Sequence, residues 1–275
     1  MDQVLQNAPA TIKVAWYENA VLVDPGVVTV TITRDDGTAI VTNGATVGTG
    51  AAQRTYTLST AETAQLDRLT VVWTSPARGK ITTYVEIVGG FLCTLADIKA
   101  PLASDPGAEK LAEARTRAET LLEDVCGVAF RPRYAREVFD GSGSDELLLG
   151  NPRPLAVSVV KVDGTALDAQ ALSELTLDPA GLLIHPGLWA AGRRSVEVTY
   201  SHGYPQPFVA AVRPAVKLAT SYLIADPTNF HERASRVDMA DASYSLVTPG
   251  VRGTETSIPE VNAFIERYRY HEGIA

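Results

Sequence analysis

Val28-Thr29-Val30-Thr31-Ile32-Thr33, followed at once by Arg34-Asp35-Asp36-Gly37, is the stretch from which this 275-residue sequence is best read. Valine and isoleucine alternate with threonine, so one face of an extended chain is apolar and the other polar, as a half-buried strand requires. Asp35-Asp36-Gly37 supplies the positive-φ chemistry of a hairpin, and Thr38 to Thr42 reads as the return strand. The same texture runs outward through Thr11–Trp16, Arg54–Leu58, Leu69–Thr74 and Lys80–Val88. Ser59-Thr60-Ala61-Glu62 has the form of a capping box and predicts a short helical corner between two strands. Six or seven short strands at about ten-residue spacing predict an immunoglobulin-like β-sandwich over residues 1–90. This stretch has no cysteine for the inter-sheet disulfide of antibody domains, so Trp16 and Trp73 are expected to fill that space as core residues.

Gly89-Gly90 marks a change of texture. Thr94-Leu95-Ala96-Asp97 caps a short helix that stops before Pro101. Asp105 is the expected N-cap of the next helix, with Pro106 at its first position. Leu111, Ala114, Ala118, Leu121, Leu122 and Val125 then form one helical stripe ending at Gly127. Strand patterns return over Tyr134–Phe139 and Glu146–Leu149, with Asp140–Asp145 between them as a hairpin connection by composition. Pro154–Val162, which ends in the turn signal Asp163-Gly164, Leu182–His185 and Ser195–Tyr200 complete a small antiparallel sheet. Pro214 is expected to divide a short helical piece at 208–212 from a helix over 214–225. Residues 238–256 read as a long, mobile polar loop. Ser257-Ile258-Pro259-Glu260 reads as a capping box opening a terminal helix over 257–272. The fold class is therefore α+β in two domains: the sandwich of 1–90, then a mainly helical domain with a small sheet over 91–275.

Composition narrows the function. With 45% hydrophobic and 20% charged residues the chain can build a real core. A formal charge of −8 is the wrong sign for a protein that grips phosphate backbones. No apolar run reaches the roughly 18 residues a membrane helix needs. Met1–Asn7 lack a basic and an apolar signal region, so no secretory signal is expected there. Cys93 and Cys126 form no C-x-x-C pair and read as reduced, buried thiols. His185, His202, His231 and His271 are scattered, Ser201 and His202 are strand neighbours that point to opposite faces, and no phosphate loop is present. Asp140–Asp145 lacks the register of a calcium loop. No catalytic, metal or cofactor residue is therefore expected, and no enzymatic activity. Two readings are open for the terminal face of Phe264, Ile265, Tyr268 and Tyr270: a core-packing helix, or a helix that docks onto a partner.

Residues 91–275 resemble the head–tail adaptor (connector) proteins of long-tailed bacteriophages and related gene-transfer particles. The resemblance is carried by an ordered string of segments. Leu95-Ala96-Asp97-Ile98 and the 105–127 helix come first, then Arg133-Tyr134-Ala135-Arg136-Glu137-Val138-Phe139-Asp140-Gly141-Ser142-Gly143 and Leu147-Leu148-Leu149 with Pro154. Ser158–Gly164, Gly181-Leu182-Leu183 and Trp189 follow, ahead of Val196–Tyr204 and, after the next helices, Ile258–Val261 and Tyr268-Arg269-Tyr270. Such adaptors form a ring of about twelve subunits beneath the portal, extend the DNA channel without binding DNA specifically, and present a surface to the next stopper or tail protein. The resemblance implies a virion protein of the neck, made in the host cytoplasm, with partners in its own copies, the portal and the downstream neck protein, and no membrane. It implies portal or neighbour docking at Ile258, Val261, Phe264, Ile265, Tyr268 and Tyr270. The added sandwich is a departure from simpler members and is expected to decorate the neck or brace against the capsid. Two other classes stand beside this reading. One is a secreted or surface binding protein using the sandwich as an adhesin or carbohydrate module; the other is an enzyme with an unrecognised site.

Overall fold

The structure, a computed structural model, describes residues 1–50, 52–224, 236–239, 242–245 and 255–270. Ten strands open the chain: β1 (Asp2–Leu5), β2 (Ala10–Ala15), β3 (Tyr17–Glu18), β4 (Val21–Leu22), β5 (Thr29–Thr33), β6 (Ala39–Ala45), β7 (Val47–Gly48), β8 (Gln53–Leu58), β9 (Asp67–Ser75) and β10 (Gly79–Val88). Helices α1 (Leu95–Lys99) and α2 (Ala108–Cys126) follow. Then come β11 (Arg133–Gly141), β12 (Glu146–Leu148), β13 (Pro154–Val162), β14 (Thr165–Ala166), α3 (Ala169–Ser173), β15 (Thr176–Leu177), β16 (Leu182–Ile184) and β17 (Gly192–His202). Helix α4 (Val209–Leu223), strands β18 (Arg236–Met239) and β19 (Ala242–Ser245), and helix α5 (Pro259–Tyr268) complete the described elements.

The fold is α+β, and its first ninety residues are a two-sheet sandwich. One sheet has the order β1-β10-β9-β5-β6, the other β2-β8-β7. Strand β1 runs parallel to β10, whereas the remaining pairs are antiparallel. Named by the immunoglobulin scheme, these sheets are A′GFCC′ and BED, so the topology is immunoglobulin-like. Val30, Ile32, Leu69, Val71, Trp73, Val85 and Ile87 from the first sheet meet Ile12, Val14 and Leu58 from the second in one buried cluster. Trp16 and Trp73 both lie in it, and the Trp73 indole nitrogen donates to Thr83 Oγ1 at 3.0 Å. The expected helical corner at Ser59 is only a turn. Ser59 and Glu62 do exchange their capping bonds, but Leu66 and Asp67 lead into β9 before a second helical turn can form.

By compactness the chain divides into Met1–Gly90 with Arg131–Gln206, and Phe91–Phe130 with Pro207–Ala275. Residues 131–206 thus join the sandwich in the first unit. In that unit β11-β17-β13-β14 form one sheet and β12-β16-β15 another, around Val160, Leu183, Trp189, Val196, Val198 and Tyr200. The Asp163-Gly164 turn joins β13 to β14 with φ of 50° and 79°, the doubly positive pair that tight hairpins need. Asp140–Asp145 does not close a hairpin: β11 pairs with β17 and β12 with β16, so this segment passes from one sheet to the other. Asp140 instead accepts a bond from the Arg194 amide at 2.7 Å.

The sandwich is fastened to β11 by charge. Arg133 makes a bidentate pair with Glu86 (2.8 and 2.7 Å), and Glu86 also accepts from Gln3 at 3.1 Å. Burial alone would raise the Glu86 pKa; the Arg133 bonds outweigh it and hold the carboxyl below its ordinary range. Tyr134 donates to Asp35 at 3.2 Å, and Arg136 reaches the Asp35 carbonyl. Gly89 donates to the Pro132 carbonyl at 2.9 Å, an approach a side chain would block, since a Cβ there would lie 2.6 Å from Pro132. The β5–β6 hairpin lies at this fastened end. Connections 16–28, 46–50 and 76–78 gather at the other.

In the second unit α1 is capped as expected: Thr94 and Asp97 bond reciprocally. Helix α2 starts later than expected, with Gly107 as N-cap, because Asp105 bonds the amide two residues on, and Gly107 at φ 88° is outside helical space. Pro214 does not divide two helices; α4 runs continuously from Val209 to Leu223. The proline costs one backbone bond, a penalty of about 3 kcal/mol. Its ring is buried in line with Ala211, Ala215, Leu218 and Ala219, and this packing carries the helix through. Within the expected loop 238–256, residues 238–239 and 242–245 are in the antiparallel β18–β19 pair; residues 240–241 and 246–254 lie outside the described residues.

Candidate functional site

The six terminal residues singled out by sequence belong to α5 and its flanks. Val261 and Ile265 are fully buried and Phe264 is 7% exposed, packed within the second unit alongside α2 and α4. Ile258 and Tyr268 are half-buried, and Tyr270 is exposed at 36%. The three buried residues therefore face this chain's own core while the helix is seated, and Ile258, Tyr268 and Tyr270 are the members that reach the surface.

What seats the helix is an aromatic cluster that periodicity reveals only in part. Phe130, just past α2, lies 5.2 Å from Phe264 and 5.9 Å from Phe208, centroid to centroid. Tyr268 closes the circuit, 4.7 Å from Phe264 and edge-on to Phe208 at 5.2 Å. Offset and edge-to-face pairs of this kind add about 0.5–1.5 kcal/mol each beyond the area they bury. Backbone bonds fix the same junction: Phe208 N donates to Phe130 O at 2.9 Å, and Tyr270 N to Cys126 O at 2.7 Å. Phe130 and Phe208 sit in loops with no periodic neighbours, so no sequence pattern marks them.

The expected Ser257–Glu260 capping box does not form. Asn262 does that work: its side chain accepts from the Thr256 amide at 2.8 Å and hydroxyl at 2.8 Å, and donates to the Thr256 carbonyl at 2.8 Å. Glu260 turns instead toward α4, pairing with Arg213 at 2.6 Å and with Lys217. Two buried carboxylates on α2, also unmarked by the apolar stripe, hold the unit's loops. Glu119 accepts from the amides of Leu92 (2.8 Å) and Cys93 (3.3 Å), and Glu123 from that of Phe130 at 3.0 Å. Cys93 and Cys126 are buried, and burial pushes the Cys126 thiol up to about 12, far from reactive thiolate.

Among the described residues no group of three or more His, Cys, Asp or Glu side chains is placed to hold a metal ion. His202 is buried, its Nδ1 has no hydrogen-bond partner among the described residues, and burial, with Arg133 beside it, lowers its pKa to about 4. Ser201 and His202 face opposite sides of β17, as strand alternation requires. No described helix is long and apolar enough to cross a membrane.

No protein-family profile matches the chain, and no curated protein sequence does. Among solved structures, the chain is similar to one in the neck of an empty GTA particle computed with C6 symmetry, at 17% identity over 66% of this chain and 90% of that one, with a TM-score of 0.43. It is similar to one in the virion of a native gene transfer agent (GTA) particle, at 19% identity over 66% and 90%, with a TM-score of 0.42. A third likeness, at 15% identity over 31% and 79% with a TM-score of 0.22, is to a chain of the ZIG-8–RIG-5 heterodimer of immunoglobulin domains.

Proposed function

We infer that the chain is a non-enzymatic structural protein of a phage-like virion neck, a head–tail adaptor whose copies close into a ring of about twelve subunits. The observation that carries the reading is the ordered string of segments from Leu95 to Tyr270, which resembles the adaptors over two thirds of the chain. Charge supports it: every cationic contact to passing DNA would add friction, and the chain carries −8. In this reading the portal sits above the ring and a stopper or tail protein below it. Contact with the portal or a neighbouring subunit uses Ile258, Tyr268 and Tyr270, while Val261, Phe264 and Ile265 hold α5 in place.

The sandwich supplies a further contact. Tyr17, Val21, Leu22, Val27 and Val47, exposed by 64%, 64%, 49%, 80% and 66%, gather at the end away from β11. Salt bridges Arg78–Glu18 and Arg54–Asp24 flank them. An apolar tip inside a rim of paired charges is the usual anatomy of a protein contact. The capsid is the partner this reading assigns to it.

The test is mass photometry of the full chain alone and with the portal protein of the same genome. A closed species near the mass of twelve copies, in either sample, is the expected result. A monomer that ignores the portal at micromolar concentration overturns the reading. The domain organisation, 1–90 and 91–275, is tested by expressing residues 91–275 alone. Removing the whole sandwich returns Arg133 and Tyr134 to water rather than stranding them, so the remainder is expected to stay soluble and ring-competent.

A further inference from the structure

We propose that the first unit carries a binding groove for a neutral oligosaccharide, set where the outer face of the β1-β10-β9-β5-β6 sheet meets β11. Two adjoining clefts, of about 640 and 250 Å3, share Arg68 and make the groove continuous. Strand register builds its floor: Tyr84 on β10 lies opposite Thr70 on β9, and Glu86 opposite Arg68. The wall is β11, whose Arg133 and Tyr134 bond back to Glu86 and Asp35.

Three observations select the ligand. The first is charge. The lining holds four carboxylates (Asp2, Asp35, Glu86, Glu137) against three guanidinium groups (Arg68, Arg133, Arg136). They are largely engaged already: Arg68 with Asp35 at 3.5 Å, Arg133 with Glu86, Arg136 with Glu197. Little net field is left to attract a phosphate or a polycation.

The second is the aromatic. Tyr84 is 53% exposed on a flat strand face beside the groove. Such a ring offers a platform to the C–H face of a pyranose, and Asp2 and Thr70 in the same cleft are an acceptor and a hydroxyl able to bond the sugar's hydroxyls. A peptide or lipid would need deeper apolar pockets, which this lining does not provide.

The third lies at the far end. His202, 7% exposed, lines the smaller cleft with its Nδ1 unpartnered. In the same cleft the Asn151 amide is already spent, donating to Glu137 at 3.1 Å and to Tyr200 at 3.0 Å, so the His202 nitrogen is the group left to bond a sugar hydroxyl.

The experiment is calorimetric titration of the full chain with four soluble probes: cellohexaose, maltohexaose, chitohexaose and mannohexaose. At least one is expected to bind with a Kd on the order of 1 mM or tighter. Tyr84→Ala should weaken that binding at least tenfold without moving the thermal midpoint, because the ring is exposed. Tyr17→Ala, which removes an exposed ring at the opposite end of the sandwich, should leave it unchanged. Absence of binding by all four probes overturns the proposal. So does binding that survives Tyr84→Ala, or a preference for heparin that vanishes in 0.5 M salt (about a 4 Å screening length). Ring formation plays no part in this test, so its failure and that of the adaptor reading are separable.

Discussion

The two compact units are closed by different forces. In the first, the sandwich meets β11 through the Glu86–Arg133 ion pair and through Asp35, which takes bonds from Tyr134 and Arg136, with the Arg34–Asp67 pair on the sandwich side and Arg136–Glu197–Lys161 on the other. In the second, α5 is seated by stacked rings and by Val261 and Ile265, with ion pairs at its two ends, Glu260 with Arg213 and Lys217 on the surface and Arg269 with Glu255. Buried ions fix geometry but respond to pH and to loss of a partner. Apolar contacts lack that sensitivity and respond instead to volume and polarity. The contrast makes the junction with β11 the electrostatically addressable part of the first unit, and the seat of α5 the apolar part of the second.

Phe264→Asp is the strongest way to break this contrast. It places a carboxylate in the aromatic cluster of Phe130, Phe208 and Tyr268, while removing a ring whose loss alone costs about 3–5 kcal/mol. The second unit is expected to unfold, read as loss of helical circular dichroism and of hydrogen-exchange protection over α2 and α4. A folded monomer that merely loses portal binding would mean that α5 is a docking helix after all.

Arg133→Ala comes next. It strands Glu86, a carboxylate 5% exposed, for an expected loss of about 3–5 kcal/mol in the first unit. The double replacement Glu86→Met with Arg133→Leu should recover most of that loss, since two apolar chains need no partner. If the double variant is as unstable as the single one, the ion pair is not what governs this junction.

Acid should bear on the charged junction of the first unit. His202 titrates at about 4 in the fold against its ordinary 6.5, because burial and Arg133 disfavour the cation. Its contribution, roughly 3 kcal/mol, is fully present above about 6.5 and is lost as pH falls from there to about 4. Glu86, depressed below 4.5, adds a loss that begins only beneath that value. Denaturant midpoints of the first unit should therefore fall between pH 7 and 4. His202→Phe should flatten the profile above pH 4.5.

The sandwich was legible from residue 28 onward because alternation is a local property, and so was the stripe of α2. Strand partners were not. Glu146–Leu149 looked like the mate of Tyr134–Phe139, yet Leu182–Ile184 and Gly192–His202 compete for the same edges and win by burying Leu183, Val196 and Val198. Pro214 misled because a helix-breaking rule ignores what its ring can pack against. Of the terminal site, the helix and its apolar residues could be read from spacing. Their destination could not, since Phe130 and Phe208 are brought to Phe264 only by tertiary structure.

The smallest effect sharpens that lesson. Ser257-Ile258-Pro259-Glu260 matches the capping pattern, but Ile258 is the N-cap and carries no side-chain acceptor. Asn262 closes the turn through Thr256, with both residues buried. Asn262→Ala should therefore cost about 1–2 kcal/mol, the range of a lost cap with a buried amide left unpaired. Glu260→Gln should leave the thermal midpoint where it is, because its pairs with Arg213 and Lys217 are solvated. Calorimetry of the two variants side by side distinguishes the cap written in the sequence from the one the fold uses. A larger loss for Glu260→Gln than for Asn262→Ala would show that α5 is anchored to α4 by charge, and the contrast between the two units would fail at that point.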